Sequence, residues 1–216
     1  MQYYCDQNHD RRILVTDYRK FSTFTLRSAP IGSLPVSNRR CHTMILGTDI
    51  NIKGFIITVQ SLSLTNSNSD NNNNGCEDHI VIDNQYKWCQ TSDSTKSLTK
   101  FLDNNNNHLT VEFNTGSNST AEFEFTITAF SGVWNHTCPK PGDTIRCDGG
   151  QQLCIYNGLE CDGRANCPNG SDEHDCPILL LLNNTNNSDD DYDNNDLVDY
   201  SLYDNNNQSN MSSTNI

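Results

Sequence analysis

Six of the chain's ten cysteines lie between Cys138 and Cys176, separated by 8, 6, 6, 5 and 8 residues. So short a stretch cannot bury enough apolar surface to fold by hydrophobicity alone. Its large apolar side chains are only Ile145, Leu153, Ile155, Tyr156 and Leu159. Crosslinks or a metal must therefore supply what the core lacks. A disulfide closing a loop of about 15 residues contributes roughly 3 kcal/mol by the chain-entropy argument.

The second half of this stretch crowds Asp162, Asp172, Glu173 and Asp175 among three of the cysteines. Two carboxylates about 4 Å apart repel by roughly 4 kcal/mol at an effective dielectric of about 20. A divalent cation turns that repulsion into binding energy. Oxygen ligands on irregular backbone suit calcium better than magnesium, which demands near-ideal octahedral geometry. Zinc is the weaker alternative, because CxxC pairs are absent and the thiols are better explained as disulfides. Spacing alone leaves the pairing of the six cysteines open.

Four pieces of the stretch are specific: Ile145-Arg146-Cys147, Cys154-Ile155, Cys161-Asp162-Gly163, and Gly170-Ser171-Asp172-Glu173 followed by Cys176. Together they resemble the LDL receptor class A module, over about a fifth of the chain. The resemblance implies the pairs Cys138–Cys154, Cys147–Cys167 and Cys161–Cys176. It also implies one calcium ion, held by the side chains of Asp162, Asp172, Glu173 and Asn166 and by the carbonyls of Leu159 and Arg164. Two positions depart from the family. Asn166 stands where an Asp is usual, so one ligand loses its charge. Leu159 stands where ligand-binding members carry a Trp that flanks a ligand lysine. Both changes weaken the grip on a basic ligand, so a calcium-stapled spacer stands level with a module that docks one.

Residues 5–130 read as all-β. The run 121–130 is the clearest strand, with Phe123, Phe125, Ile127 and Ala129 on one face and Glu122, Glu124, Thr126 and Thr128 on the other. Further strand signals lie at Ile13–Val15, Phe24–Leu26, Gly54–Leu64, His79–Ile82 and His108–Phe113. No helix-length amphipathic segment competes, and many short strands between turn signals indicate a sandwich. Asn-rich inserts at 63–75 and 103–107 carry no apolar face and read as solvated loops. The remaining cysteines, Cys5, Cys41, Cys76 and Cys89, accompany the loop Ser28-Ala29-Pro30 to Leu34-Pro35 and the run Cys76–Asp83. This layout resembles the CUB domain, which implies the pairs Cys5–Cys41 and Cys76–Cys89. Asp78 matches one calcium ligand of calcium-binding CUB domains. The later Ser-Asp pair is replaced by Thr115-Gly116, so no calcium is expected in the sandwich.

The expected architecture is thus an all-β CUB-like sandwich at 5–131 followed by a disulfide-rich, calcium-stapled module with little regular secondary structure at 137–177. A low-complexity acidic tail follows at 178–216. Gly132–Thr137 is too short a connection for free tumbling of the two modules. The net charge of −13 is concentrated toward the end. Residues 177–216 hold seven Asp and no Lys or Arg, so disorder is expected there. Nothing in this distribution attracts phosphate backbones or anionic lipid, so neither nucleic acid nor a membrane surface is an expected partner.

Paired-cysteine chemistry places the chain in an oxidising, extracellular or cell-surface setting. Asn-x-Ser/Thr sequons agree, with Asn118 and Asn135 as candidate glycosylation sites. Met1–Lys20 has no apolar run of signal-peptide length, and Ile178–Leu182 is too short to span a bilayer. The expectation is a fragment of a longer secreted or anchored protein. No HExxH, GxSxG, P-loop or GxGxxG occurs, and six histidines are scattered without metal spacing. The chain reads as a non-enzymatic ectodomain segment that binds an extracellular or membrane protein. A CUB directly followed by a class A module resembles neuropilin- and tolloid-like receptors and CUB-containing LDL-receptor-related proteins. The competing readings are the non-catalytic portion of a larger protease and a matrix spacer.

Overall fold

Side-chain alternation with a period of two governs most of the chain before Gly132, and the backbone follows it into strands. The computed structural model describes residues 1–5, 10–19, 22–33, 37–64, 76–89, 97–103, 106–133, 137–149 and 152–176. Among these the strands are β1 (Gln2–Tyr4), β2 (Asp10–Val15), β3 (Thr23–Arg27), β4 (Arg40–Gly47), β5 (Gly54–Ser63) and β6 (His79–Ile82). They continue as β7 (Tyr86–Trp88), β8 (Ser97–Phe101), β9 (His108–Asn114), β10 (Glu122–Gly132), β11 (Thr144–Arg146) and β12 (Leu153–Tyr156). Two 3-10 turns follow, at Asn157–Leu159 and Ser171–Glu173. The expected tail, the expected connection at 134–136 with Asn135, and most of the Asn-rich insert at 65–75 lie outside the described residues.

Two sheets form the sandwich. One runs β2-β4-β9-β6-β7, with β2 parallel to β4 and the other pairs antiparallel. The other places β10 between β3 and β5, with β1 added outside β3 and β8 outside β5. Phe123, Phe125, Ile127 and Ala129 of β10 meet Leu109, Val111 and Phe113 of β9 in the core between them. Edge-on aromatic contacts fix that layer: Phe113–Phe123 at 4.9 Å and Trp88–Phe125 at 5.6 Å between ring centroids. Cys5–Cys41 and Cys76–Cys89 are disulfide-bonded. Asp78 is buried, with its carboxylate accepting the Gly116 N–H at 2.9 Å. It thus ties a loop from inside rather than lying on the surface.

The other face of β10 departs from the half-buried strand expected from the sequence. Glu124 does reach the surface region, paired with Arg27 at 2.8 Å, but Thr126 and Thr128 are buried. They are covered by the segment after Cys138. β12 pairs antiparallel with the end of β10, Leu153 opposite Gly132 and Cys154 opposite Ser131, and β11 pairs with β12. Ile56 and Phe130 of the sandwich then enclose a second core with Cys147, Leu153, Ile155, Leu159 and Cys167. The strand at Gly54 passes so close to the Phe130 ring and the Lys100 carbonyl that any side chain there has no room. Residues Met1–Pro177 form one compact unit.

Disulfides Cys138–Cys154, Cys147–Cys167 and Cys161–Cys176 complete the set, so all ten cysteines are paired. Among the described residues no helix is long and apolar enough to cross a membrane. Asn118 is exposed in the turn between β9 and β10. The second core sets a test. Leu153→Ala is expected to destabilise the chain by about 2–5 kcal/mol, the usual effect of emptying a well-packed apolar site. Hydrogen exchange is the measurement: amides of β3 and β5 should lose protection together with those of β11 and β12. Separate unfolding of the two regions counts against a shared core.

Candidate metal centre

The loop from Cys161 to Glu173 is irregular, and its shape comes from acidic side chains accepting backbone N–H groups. Glu173 accepts from Asp162 and Gly163, each at 3.0 Å, one on either carboxylate oxygen. Asp172 does the same with the N–H groups of Asn166 at 2.7 Å and Cys167 at 3.0 Å. Asp162 closes a tight turn by accepting the Arg164 N–H at 2.9 Å. Glycine at 163, with φ of 83°, permits the turn that brings its N–H to Glu173. The Cys161–Cys176 bridge closes the loop across its ends, and Cys147–Cys167 pins its middle.

Every ligand expected from the sequence lies in or beside this loop, but the side chains do not converge on one point. Among the described residues no group of three or more His, Cys, Asp or Glu is arranged to hold a metal ion. Asp172 is buried, and both its oxygens are turned onto backbone amides. Two expected ligand atoms do share a focus. Asp162 Oδ1 and the Arg164 carbonyl oxygen lie 3.2 Å and 2.8 Å from Asn166 Nδ2. The Asp162 carboxyl is pushed above the usual carboxylate range, first by burial, with the charges of Glu173 and Asp172 adding. Oxygen-only donors carrying unrelieved negative charge fit a hard divalent cation. In chemistry the residues fit calcium; in arrangement they are closed around the chain's own N–H groups.

The middle of the same loop, Arg164 to Pro168, is docked on the sandwich. Thr23, Thr25, Thr58, Thr126 and Thr128 form neighbouring rows on the outer face of β3, β10 and β5. Asn166 Oδ1 accepts the Thr128 hydroxyl at 2.8 Å and the Thr23 hydroxyl at 3.2 Å. Thr58 donates to the Ala165 carbonyl, and Arg164 Nη1 donates to the Thr25 hydroxyl. Ser97 of β8 donates to the Pro168 carbonyl at 2.7 Å, and Arg19 pairs with Asp143 at 3.3 Å. Leu159 is buried beside Ile56 and Phe130, so it is not presented to an outside ligand. None of these threonines was nominated by sequence reasoning. The only signal was a β10 outer face that changes from Glu to Thr along its length.

Fold and site together define a disulfide-braced extracellular-type β-sandwich with a small acidic module packed on one sheet. Residues 136–176 match the family model for the low-density lipoprotein receptor domain class A. The order expected from the sequence, an all-β sandwich and then a segment matching the class A model, is the order found. Solved structures similar to the chain include the full extracellular region of zebrafish Gpr126/Adgrg6 (17% identity, TM-score 0.41) and the CUB1-EGF-CUB2 domains of rat MASP-1 (11% identity, TM-score 0.42). The matches cover 57% and 67% of this chain, and span 15% and 52% of those chains. No curated protein matches the sequence.

The docking face gives a paired test. The Thr126 hydroxyl is buried with no partner among the described residues, whereas the Thr128 hydroxyl holds Asn166. Thr126→Val is expected to be neutral or stabilising, because it replaces an unsatisfied group by one of the same shape. Thr128→Val should lower stability by about 1–3 kcal/mol by leaving a buried amide oxygen short of a donor. Denaturant midpoints of the two variants check the contrast, and equal effects would count against the docking contacts.

Proposed function

We propose that the chain is part of an extracellular, non-enzymatic protein that binds another protein, and that its class A module takes up one calcium ion. The module boundaries proposed are 5–131 for the CUB-like sandwich and 137–177 for the class A module, with an acidic tail at 178–216. The observation that carries the reading is the complete pairing of ten cysteines in a chain whose acidic loop matches a class A module. Such bridges persist in oxidising compartments and not in the cytosol. They hold surfaces rigid, which lowers the ordering cost of binding a partner. Leu159 and Asn166 are buried against the sandwich, so this reading places partner contacts on other surfaces of the chain. A basic or neutral partner surface is favoured electrostatically by the net charge of −13.

Calcium, when bound, supplies positive charge that offsets the crowding of acidic groups. Asp162, Asp172 and Glu173 are the proposed side-chain ligands, with the Leu159 and Arg164 carbonyls and the Asn166 amide oxygen. Their role here is to hold the loop, since nothing in the set offers a substrate position. The test is calorimetric titration of calcium into the oxidised full chain after chelator treatment. One site is expected, and Glu173→Gln should weaken it by roughly tenfold or more through loss of a charged ligand. Absence of binding heat and of NMR shifts at 159–176 would sink the calcium reading. For the partner, saturable and trypsin-sensitive binding of the labelled chain to intact cells is expected.

A further inference from the structure

Asp162 Oδ1 and the Arg164 carbonyl oxygen are acceptors that face one point inside the class A loop. Only a cation or a hydrogen-bond donor can satisfy both from that point. Asn166 provides the donor, with Nδ2 at 3.2 Å and 2.8 Å from the two oxygens. Its other end is gripped from the sandwich, where Oδ1 receives the hydroxyls of Thr128 and Thr23. The amide cannot exchange its nitrogen and oxygen without setting Oδ1 against two acceptors. Asn166 is fully buried, so water does not compensate such an exchange. Both oxygens of Asp172 and both of Glu173 are likewise closed by backbone N–H groups.

We propose that Asn166 is a built-in substitute for the cation. Its amide nitrogen takes the inward position, Thr23 and Thr128 hold it there, and the class A module of this chain keeps its fold without calcium. The inference takes from the proposed function only the identity of the competing ion. An Asp at this position brings another negative charge and no inward donor, so the loop then depends on a metal. Calcium binding to the natural chain requires the amide to turn, which weakens affinity relative to that variant.

Hydrogen exchange of the oxidised full chain, with chelator and with calcium, tests this. For the natural chain, amides at 159–176 should stay protected in chelator. In Asn166→Asp they should lose protection by roughly tenfold or more in chelator, the signature of local opening, and regain it with calcium. Amides of β6 and β9, remote from the loop, report whether the variant sandwich is folded. Loss of protection in the natural chain on adding chelator overturns the proposal. So does an Asn166→Asp chain as protected in chelator as the natural one. Should the variant not fold, the natural chain in chelator still decides. A natural chain that stays protected yet gives no calcium heat sinks the calcium reading and leaves this one standing.

Discussion

Strand β10 is asked to be buried on both faces, and the rest of the structure is arranged around that demand. Its inner face is satisfied in the ordinary way, by aromatic and aliphatic packing against the opposite sheet. Its outer face is harder, because Thr126, Thr128 and Phe130 lie in succession under the class A module. A covered hydroxyl needs a hydrogen-bond partner, and an exposed Phe needs apolar cover. The module answers both, except at Thr126, whose hydroxyl stays unpaired among the described residues. Leu153, Ile155 and Leu159 pack on Phe130 and Ile56, while Asn166 and the Ala165 carbonyl meet the hydroxyls of Thr23, Thr128 and Thr58. Disulfides hold that docking face in shape, since the module has few apolar residues to do so itself.

Much of this was legible in the residues. Alternation at 108–113 and 121–130 identified two central strands, and the acidic cluster after Cys161 identified the loop now seen to be organised by carboxylates. The other strands were harder to read for definable reasons. β8 (SLTKF) is a polar edge strand, and β7 spans three residues, too few to show a period. β11 and β12 are short and lie in a segment whose composition signals sulfur bridging rather than pairing. The docking of module on sheet was illegible for a deeper reason. A threonine on an outer strand face suits water and suits a buried hydrogen bond equally, and only the arrival of a partner decides between them.

The two departures from the class A pattern take on a common meaning once that partner is the sandwich. At Leu159 an apolar side chain of moderate size fits beneath Phe130 and beside Ile56, where an exposed Trp platform has no place. At Asn166 full burial places the side chain near Asp162. A carboxylate there would face like charge in a region of low dielectric, and that repulsion is far stronger than at the surface. A carboxamide avoids it, because one end donates to the acidic side while the other accepts from hydroxyls. Read alone, each change weakens a ligand grip. Read against β3 and β10, each serves an internal contact.

That internal contact also constrains how the chain can recognise anything else. A partner cannot use the Leu159–Asn166 face without first undocking the module, and undocking exposes Phe130, Ile56 and a row of threonines together. Such a cooperative loss of apolar cover and hydrogen bonds is a large fraction of the stability of a marginally stable fold. On the proposed reading, recognition by the intact chain therefore falls on surfaces the docking leaves free, such as the outer face of β2-β4-β9 and the turns around Asn118. There the rigidity conferred by docking and by five disulfides lowers the ordering cost of an encounter without contributing a contact to it. On that reading the acidic module acts on function through the shape it maintains.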